Sequence, residues 1–337
     1  MKLSLDAVSY SGYFYEGGSL TFEETIDKAD AMGYDAVDLF PHRPMGFPMD
    51  LSSERRKRIK AHAETRGIEL AVIEACTNFM MTDHILTQTQ DKELLFVREC
   101  CSLARDLGFP VVRVLAGYVG YFMHPEAPLG YTNTAMWGRN VDVSQELDYL
   151  RQWEYARTGL AEAARIAEDH GVELALQNHP PLTNNTRDTL EMIAEIDHPN
   201  LKIGLDLPLF ERQDDEFVRN TVLSTRGLMI HSHALGMRPR ETLQGVVGIE
   251  EVVPGEGREN WPVFFAACKE IGYDAYLAYE QCSPIFVKGH KRASIDEVDR
   301  RAKQGLVALR RLMDEQDVYT GNREIPGDVL EAVSPTA

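Results

Sequence analysis

Residues 160–180 read LAEAARIAEDHGVELALQNHP, and the order of events in that stretch decides the fold. Apolar residues at three- and four-residue spacing from Leu160 to His170 make one face of a helix. Gly171 follows, the residue that adopts the left-handed helix-ending conformation without steric cost. Val172 to Asn178 is then a short apolar strand, and it runs out in three polar side chains, Gln177, Asn178 and His179. Helix, glycine, strand and polar tip form one unit.

Working outward, the unit recurs along the chain. Strands are expected at 3–10, 34–40, 68–75, 111–116, 172–178, 201–206, 228–234 and 275–280. Helices are expected at Phe22–Met32, Glu54–Arg66, Glu93–Leu107, Leu160–His170 and Trp261–Ile271, each followed by glycine. Eight strands alternating with helices imply parallel pairing through right-handed crossovers. A (β/α)8 TIM barrel of the α/β class is the simplest closed solution. A doubly wound open sheet would carry a Gly-rich phosphate turn after its first strand, and YSGYFYEGG at 10–18 lacks that spacing. The barrel is expected over 1–315, with a long Gly- and aromatic-rich insertion at 117–145 after strand four and a C-terminal arm at 316–337.

Composition limits what such a barrel binds. The 337 residues carry a formal charge of −18, with 44% apolar and 26% charged side chains, as in an ordinary globular protein. That charge argues against nucleic acid, whose phosphates are held by clustered Lys and Arg. No apolar run reaches the roughly 18 residues of a membrane span, and the N-terminal stretch lacks a signal-peptide pattern, so a cytoplasmic location is expected. The five cysteines, Cys76, Cys100, Cys101, Cys268 and Cys282, have no CxxC spacing and read as reduced core residues.

In a (β/α)8 barrel the active site lies at the C-terminal ends of the strands, and reactive residues collect there. Strand alternation points Ala175, Gln177 and His179 inward from strand five, and Gly204 and Asp206 from strand six. His231 and His233 share a face of strand seven, and Glu280 faces in at the end of strand eight. An amide, two carboxylates and an imidazole from adjacent strands suit a divalent cation, Mn²⁺ first, with Mg²⁺, Co²⁺ or Zn²⁺ as alternatives. Two negative ligands leave a 2+ ion nearly neutralised, so the site would accept sugar oxygens and stabilise an enolate.

The segments GYDAVDLF, GVELALQNH, LKIGLDLP, MIHSHALG, VVPGEG and GYDAYLAYE, in that order, resemble the xylose-isomerase-like barrels, over roughly residues 1–315. The resemblance implies Gln177, Asp206, His233 and Glu280 as metal ligands and leaves His231 as a substrate contact. Two positions depart from that group. Gln177 stands where the group has Glu, so the usual pair of opposed proton-shuttling carboxylates is broken. Leu209 stands where many relatives have His. His179, two residues beyond Gln177, is the candidate replacement base. His42, Arg113 and Asn178 are further candidate substrate contacts, with Asp38 as an orienting partner.

A metal and a histidine without the carboxylate relay resemble the large subunit of C-glycoside deglycosidases. The leading expectation is therefore β-eliminating cleavage of a 3-oxo-(C-)glycoside with release of the aglycone. The alternative is a sugar isomerase or epimerase working through an enediolate, and the second alternative is a non-catalytic binding protein. The deglycosidase resemblance also implies an oligomer with a small β-type partner subunit, for which the 117–145 insertion is a candidate contact.

Overall fold

A computed structural model describes residues 1–80, 90–117, 149–242, 245–287 and 291–333. The strands are β1 (Lys2–Asp6), β2 (Ala36–Leu39), β3 (Glu69–Glu74), β4 (Val111–Val114), β5 (Glu173–Gln177), β6 (Leu201–Gly204), β7 (Met229–Ala234), β8 (Gly236–Thr242), β9 (Gly245–Val252), β10 (Tyr276–Tyr279), β11 (Phe286–Val287) and β12 (Lys291–Arg292). The first seven and β10 close a barrel of parallel strands, with β10 between β7 and β1. All eight expected strands form it. β8 and β9 make an antiparallel hairpin between β7 and the last barrel strand, which the sequence pattern did not reveal.

The helices are α1 (Phe22–Met32), α2 (Ser53–Arg66), α3 (Gln90–Leu107), α4 (Tyr149–His170), α5 (Thr186–Ile196), α6 (Asp215–Ser224), α7 (Trp261–Ile271), α8 (Ile295–Glu315) and α9 (Gly327–Val333). α1 shows the local logic: Thr21 and Glu24 form a reciprocal capping box at its start. At its end Gly33 takes φ +93°, and a Cβ there would stand 2.7 Å from the Glu324 carbonyl. α5, α6 and α8 escape the glycine rule because they end on Asp197, Thr225 and Gln316. α4 begins eleven residues before Leu160, running through Gly159. A glycine inside a helix costs about 1 kcal/mol, but a Cβ here would lie 2.5 Å from the Phe79 ring, which packs against the helix.

The expected insertion at 117–145 lies, apart from Gly117, outside the described residues, and so does any partner contact it would make. The segment after α8 crosses the N-terminal end of the barrel. Tyr319 donates to Asp35 (2.8 Å) and Arg323 pairs with Asp30. No helix among the described residues is long and apolar enough to cross a membrane.

Inside the barrel the N-terminal half is filled by Ala36, Ala71, Val72, Val111 and Ala175, with Ile230 and Tyr276 against them. Small residues suffice because eight strands leave an interior only wide enough for side chains. Two irregularities govern what lies above. Ala71 is an extra residue on β3 opposite β2, and Ile230 an extra residue on β7 opposite β6. A bulge re-aims the side chains that follow it. Ala71 and Val72 accordingly both face the interior, and Glu74 follows Val72 inward.

Candidate active site

Above the small apolar layer the interior turns polar all the way round. Asp6 ends β1, Asp38 lies in β2, Glu74 ends β3, Arg113 lies in β4 and Gln177 ends β5. Asp206 follows β6, His231 and His233 lie in β7, and Glu280 follows β10. All are buried; Glu280 (8% exposed) and His179 (9%) are nearest to solvent.

On the β5–β6–β7 side three expected ligands touch. Gln177 Nε2 donates to Asp206 Oδ2 and stands 3.3 Å from His233 Nδ1. His233 Nδ1 is 3.0 Å from Asp206 Oδ2, and the His233 N–H donates to Asp206 Oδ1 at 2.8 Å. The fourth, Glu280, joins through His233: Asp6, His233 and Glu280 offer donor atoms within 4.8 Å of one another. Asn178 holds this corner in place, accepting from the Asp206 N–H (2.8 Å) and donating to its carbonyl (3.3 Å). Both ends of its amide are thus used on the backbone.

Across the barrel the organising residue is Glu74, which sequence reasoning missed. One oxygen pairs with Arg113 Nε; the other is 3.0 Å from His231 Nε2 and 3.3 Å from His233 Nε2. Asp38 Oδ2 is 3.5 Å from His231 Nε2, and Asp6 Oδ2 is 3.7 Å from His233 Nε2. The two imidazoles meet at 3.1 Å through their Nε2 atoms. Arg113, expected as a substrate contact, is therefore engaged by Glu74, with Nη1 3.7 Å from Cys76 Sγ. Glu74 and Asp6 left one signal in the sequence, a carboxylate at a strand end. For Glu74 strict alternation assigns that carboxylate to the outer face.

The electrostatics follow from burial and from who sits next to whom. Burial raises the proton affinity of Asp6 and Asp38, and neighbouring Glu74 raises it further. Burial also raises Glu280, with His233 only partly offsetting it. Glu74 and Asp206 go the other way: burial, the largest single influence, would raise them, but Arg113 with His233 and His231 for the first, and the several contacts of His233 with His231 for the second, together outweigh it. His233 resists desolvation and is raised by Asp206, Glu74 and Glu280. Burial and then His233 lower His231.

Five carboxyl groups share this interior with one guanidinium and with His233, and their charge is balanced either by protons on the raised carboxyls or by a bound cation. The residues fit a divalent ion. Gln177 Oε1 is buried with no hydrogen-bond partner among the described residues, an acceptor in want of a donor or a metal. Gln177 Oε1, Asp206, His233 Nδ1 and Glu280 supply the mixed O/N set such an ion takes.

Two further histidines line the approach. His179 Nδ1 is 2.5 Å from the Pro180 carbonyl, which places its proton on Nδ1 and leaves Nε2 as the basic nitrogen. Burial and Arg113 lower its pKa to about 4, so the ring is neutral near pH 7. His42 Nε2 accepts from the Cys76 N–H (3.2 Å), and its ring lies 4.4 Å from Phe40 and 5.1 Å from Phe96. Burial and Arg113 lower it, too, to about 4. Leu209 lies in the 3₁₀ turn Leu207–Leu209 after Asp206 and packs against the outer core.

Known proteins share this architecture. A D-psicose 3-epimerase of Ruminiclostridium cellulolyticum is 22% identical over 280 residues, 80% of this chain and 82% of its own. A crystal structure of D-psicose 3-epimerase in the presence of D-fructose superposes with a TM-score of 0.65 at 18% identity, covering 93% of this chain and 99% of that one. An apo 3-keto-D-glucoside 4-epimerase from E. coli gives 0.63 at 14%, covering 92% and 99%. At such identities the superpositions speak for the fold. Residues 26–312 match the family described as xylose isomerase-like TIM barrel, which is most of the chain, and the chain belongs to that family.

Proposed function

We propose that the chain is a divalent-metal-dependent epimerase or isomerase of a keto-sugar, acting by proton removal next to a carbonyl. The observation that carries this reading is the corner where Gln177, Asp206 and His233 touch, with Glu280 joined through His233, in an interior with more carboxylates than cations. The sequence alone favoured elimination; the relatives named above are epimerases of ketoses and keto-glycosides, and they tip the balance to the alternative.

An ion held by Gln177 Oε1, Asp206, His233 Nδ1 and Glu280 would polarise the substrate carbonyl and acidify the neighbouring C–H. The chain's own residues do the rest. Glu280, its proton affinity raised by burial, is suited to take and return that proton from one face. The electron pair left on carbon is delocalised into the adjacent carbonyl. On the β5 side the Gln177 amide cannot accept a proton, and His179 Nε2 would serve the opposite face: as a neutral base it removes the proton there while protonated Glu280 returns one to the other face, and the reverse reaction runs the two transfers backwards. Burial of the ring of polar groups keeps water from quenching the exchange.

A second reading rests on Gln177 itself. With only one carboxylate to move protons, the same electron pair would expel a substituent from the next carbon, which is the β-elimination of a 3-oxo-glycoside. Incubating the Mn²⁺-loaded protein in D₂O with ketoses and 3-oxo-glycosides separates the two by mass spectrometry. Epimerisation gives an isomeric keto-sugar carrying deuterium next to the carbonyl. Released aglycone without isomerised sugar would replace the first reading by the second, and neither isomerised sugar nor released aglycone from any of these substrates overturns both.

A further inference from the structure

We propose that the barrel interior binds a second divalent cation, held by Asp38 of β2, Glu74 of β3 and His231 of β7, on the far side of His233 from the first. The proposal goes beyond the functional reading above and does not depend on it. It begins with spacing. Glu74 Oε1 and His231 Nε2 are 3.0 Å apart, and His231 Nε2 and Asp38 Oδ2 are 3.5 Å apart. Donors bound to one tetrahedral Zn²⁺ at about 2.0–2.2 Å lie about 3.3–3.6 Å from one another. The Asp38–His231 separation falls in that range and the Glu74–His231 one is a few tenths of an ångström shorter, a hydrogen-bond contact that an ion would open; Asp38, Glu74, His231 and His233, from three strands, all offer donor atoms within 4.8 Å of one another.

The second observation is independent of spacing. Neither oxygen of Asp38 has a partner in hydrogen-bond geometry among the described residues, although the likewise unpaired Ser4 hydroxyl lies close enough to favour its charged form, and Asp6 Oδ2 has none either; both residues are fully buried. Buried carboxylate oxygens are normally satisfied by several donors. Here they are aimed at two imidazole Nε2 atoms too far away to donate, with a third carboxylate between them.

Charge gives the third argument. With all five carboxyls ionised and His233 neutral as a ligand of the outer ion, Asp6, Asp38, Glu74, Asp206 and Glu280 face Arg113 alone, so that ion leaves two negative charges that either protons or a second ion must cancel. His233 would connect the sites. With Nδ1 turned to the outer ion its proton sits on Nε2, 3.3 Å from Glu74 Oε1, which is the carboxylate–histidine–metal arrangement that orients a ligand. Two carboxylate oxygens and one imidazole, with a fourth position open, suit Zn²⁺ or Mn²⁺.

The test is a metal count on the full chain. Protein stripped with chelator and reloaded with Zn²⁺ or Mn²⁺ alone should hold two ions per chain by elemental mass spectrometry after desalting. Asp38→Asn should hold one, with circular dichroism confirming its fold. The Mn²⁺ protein should also give the broadened electron paramagnetic resonance of neighbouring ions, a readout needing no variant. One ion per chain in the unaltered protein overturns the proposal, since protons on Asp6 and Asp38 would then balance the interior. Two ions retained in folded Asp38→Asn overturn the assignment. A protein with two ions and no carbohydrate activity leaves this site standing and removes the epimerase reading, while an active protein with one ion does the reverse.

Discussion

Asp206, after β6, has donors on both carboxylate oxygens; Asp38, across the barrel on β2, has none on either. The two sides of the mouth are built differently. On the β5–β6 side, side chains that follow plain strand alternation are locked to one another and to the backbone through Asn178. On the β1–β2–β3 side, carboxylates crowd around Arg113 and two imidazoles with too few donors. The contrast teaches that the first side is assembled to present ligands outward, and the second to be completed by positive charge. The largest expected effect breaks the first side: Asp206→Asn loses the outer ion and lowers turnover at least about a thousandfold, ~4 kcal/mol of transition-state stabilisation. Deuterium exchange and bound metal, measured together, check it. A folded Asp206→Asn protein with full metal and full exchange would show that the outer corner is not the site.

The next effect breaks the second side and appears as stability. Glu74→Gln removes the charge that pairs with buried Arg113. Leaving one partner of a buried pair alone is strongly destabilising, and about 3 kcal/mol is expected in denaturant unfolding of the metal-free protein. Gln177→Ala on the opposite side, where no ion pair is broken, should cost less than half of that. Equal losses would mean that the two sides are held together in the same way.

Each side also carries one neutral histidine, half-buried His42 near β2 and buried His179 after β5, both lowered to about 4. In the unfolded chain such rings titrate near 6.5. Between these values the unfolded chain takes up protons that the folded one refuses, so stability falls as pH drops from about 6.5 toward 4, by an amount on the order of 3 kcal/mol per ring. Melting temperature followed across that range should decline, and His42→Gln should flatten part of the slope. An unchanged slope would place the acid sensitivity elsewhere.

How much of this was legible in the sequence depended on the same division. The eight strands and the glycine-capped helices were readable because period and cap are local signals. Helices ending on Asp197, Thr225 and Gln316 were not, since an end without glycine looks like a loop. Gln177, Asp206 and Glu280 were found by counting alternate residues back from strand tips. Glu74 was not, because counting from outward-facing Leu70 assigns it to the helix side until the extra residue Ala71 reverses the parity. Ile230 plays the same part before His231, and histidines were noticed there only because the HSH pattern draws attention by composition. A bulge is set by pairing with a distant strand, so a single stretch of sequence does not reveal it.

The smallest effect sharpens the comparison most. Gln177→Glu gives the β5 side the carboxylate that the resemblance to sugar isomerases and epimerases expects there. It changes little in shape, and its added charge faces Asp206 and His233. With the outer ion in place the variant should resist chelator better than the parent protein, since an anionic oxygen replaces an amide oxygen. If the chain is an epimerase working with His179 as a substitute base, a second carboxylate opposite Glu280 should speed epimerisation by about tenfold, ~1.4 kcal/mol. If the missing relay is what commits the enolate to expel a substituent, the same change returns the proton before the leaving group departs, and aglycone release should fall. The ratio of isomerised to cleaved product from one 3-oxo-glycoside, parent against variant, reads both outcomes at once. A ratio that does not move would mean that residue 177 takes no part in proton traffic, and that the two sides of the mouth differ in structure without dividing the chemistry between them.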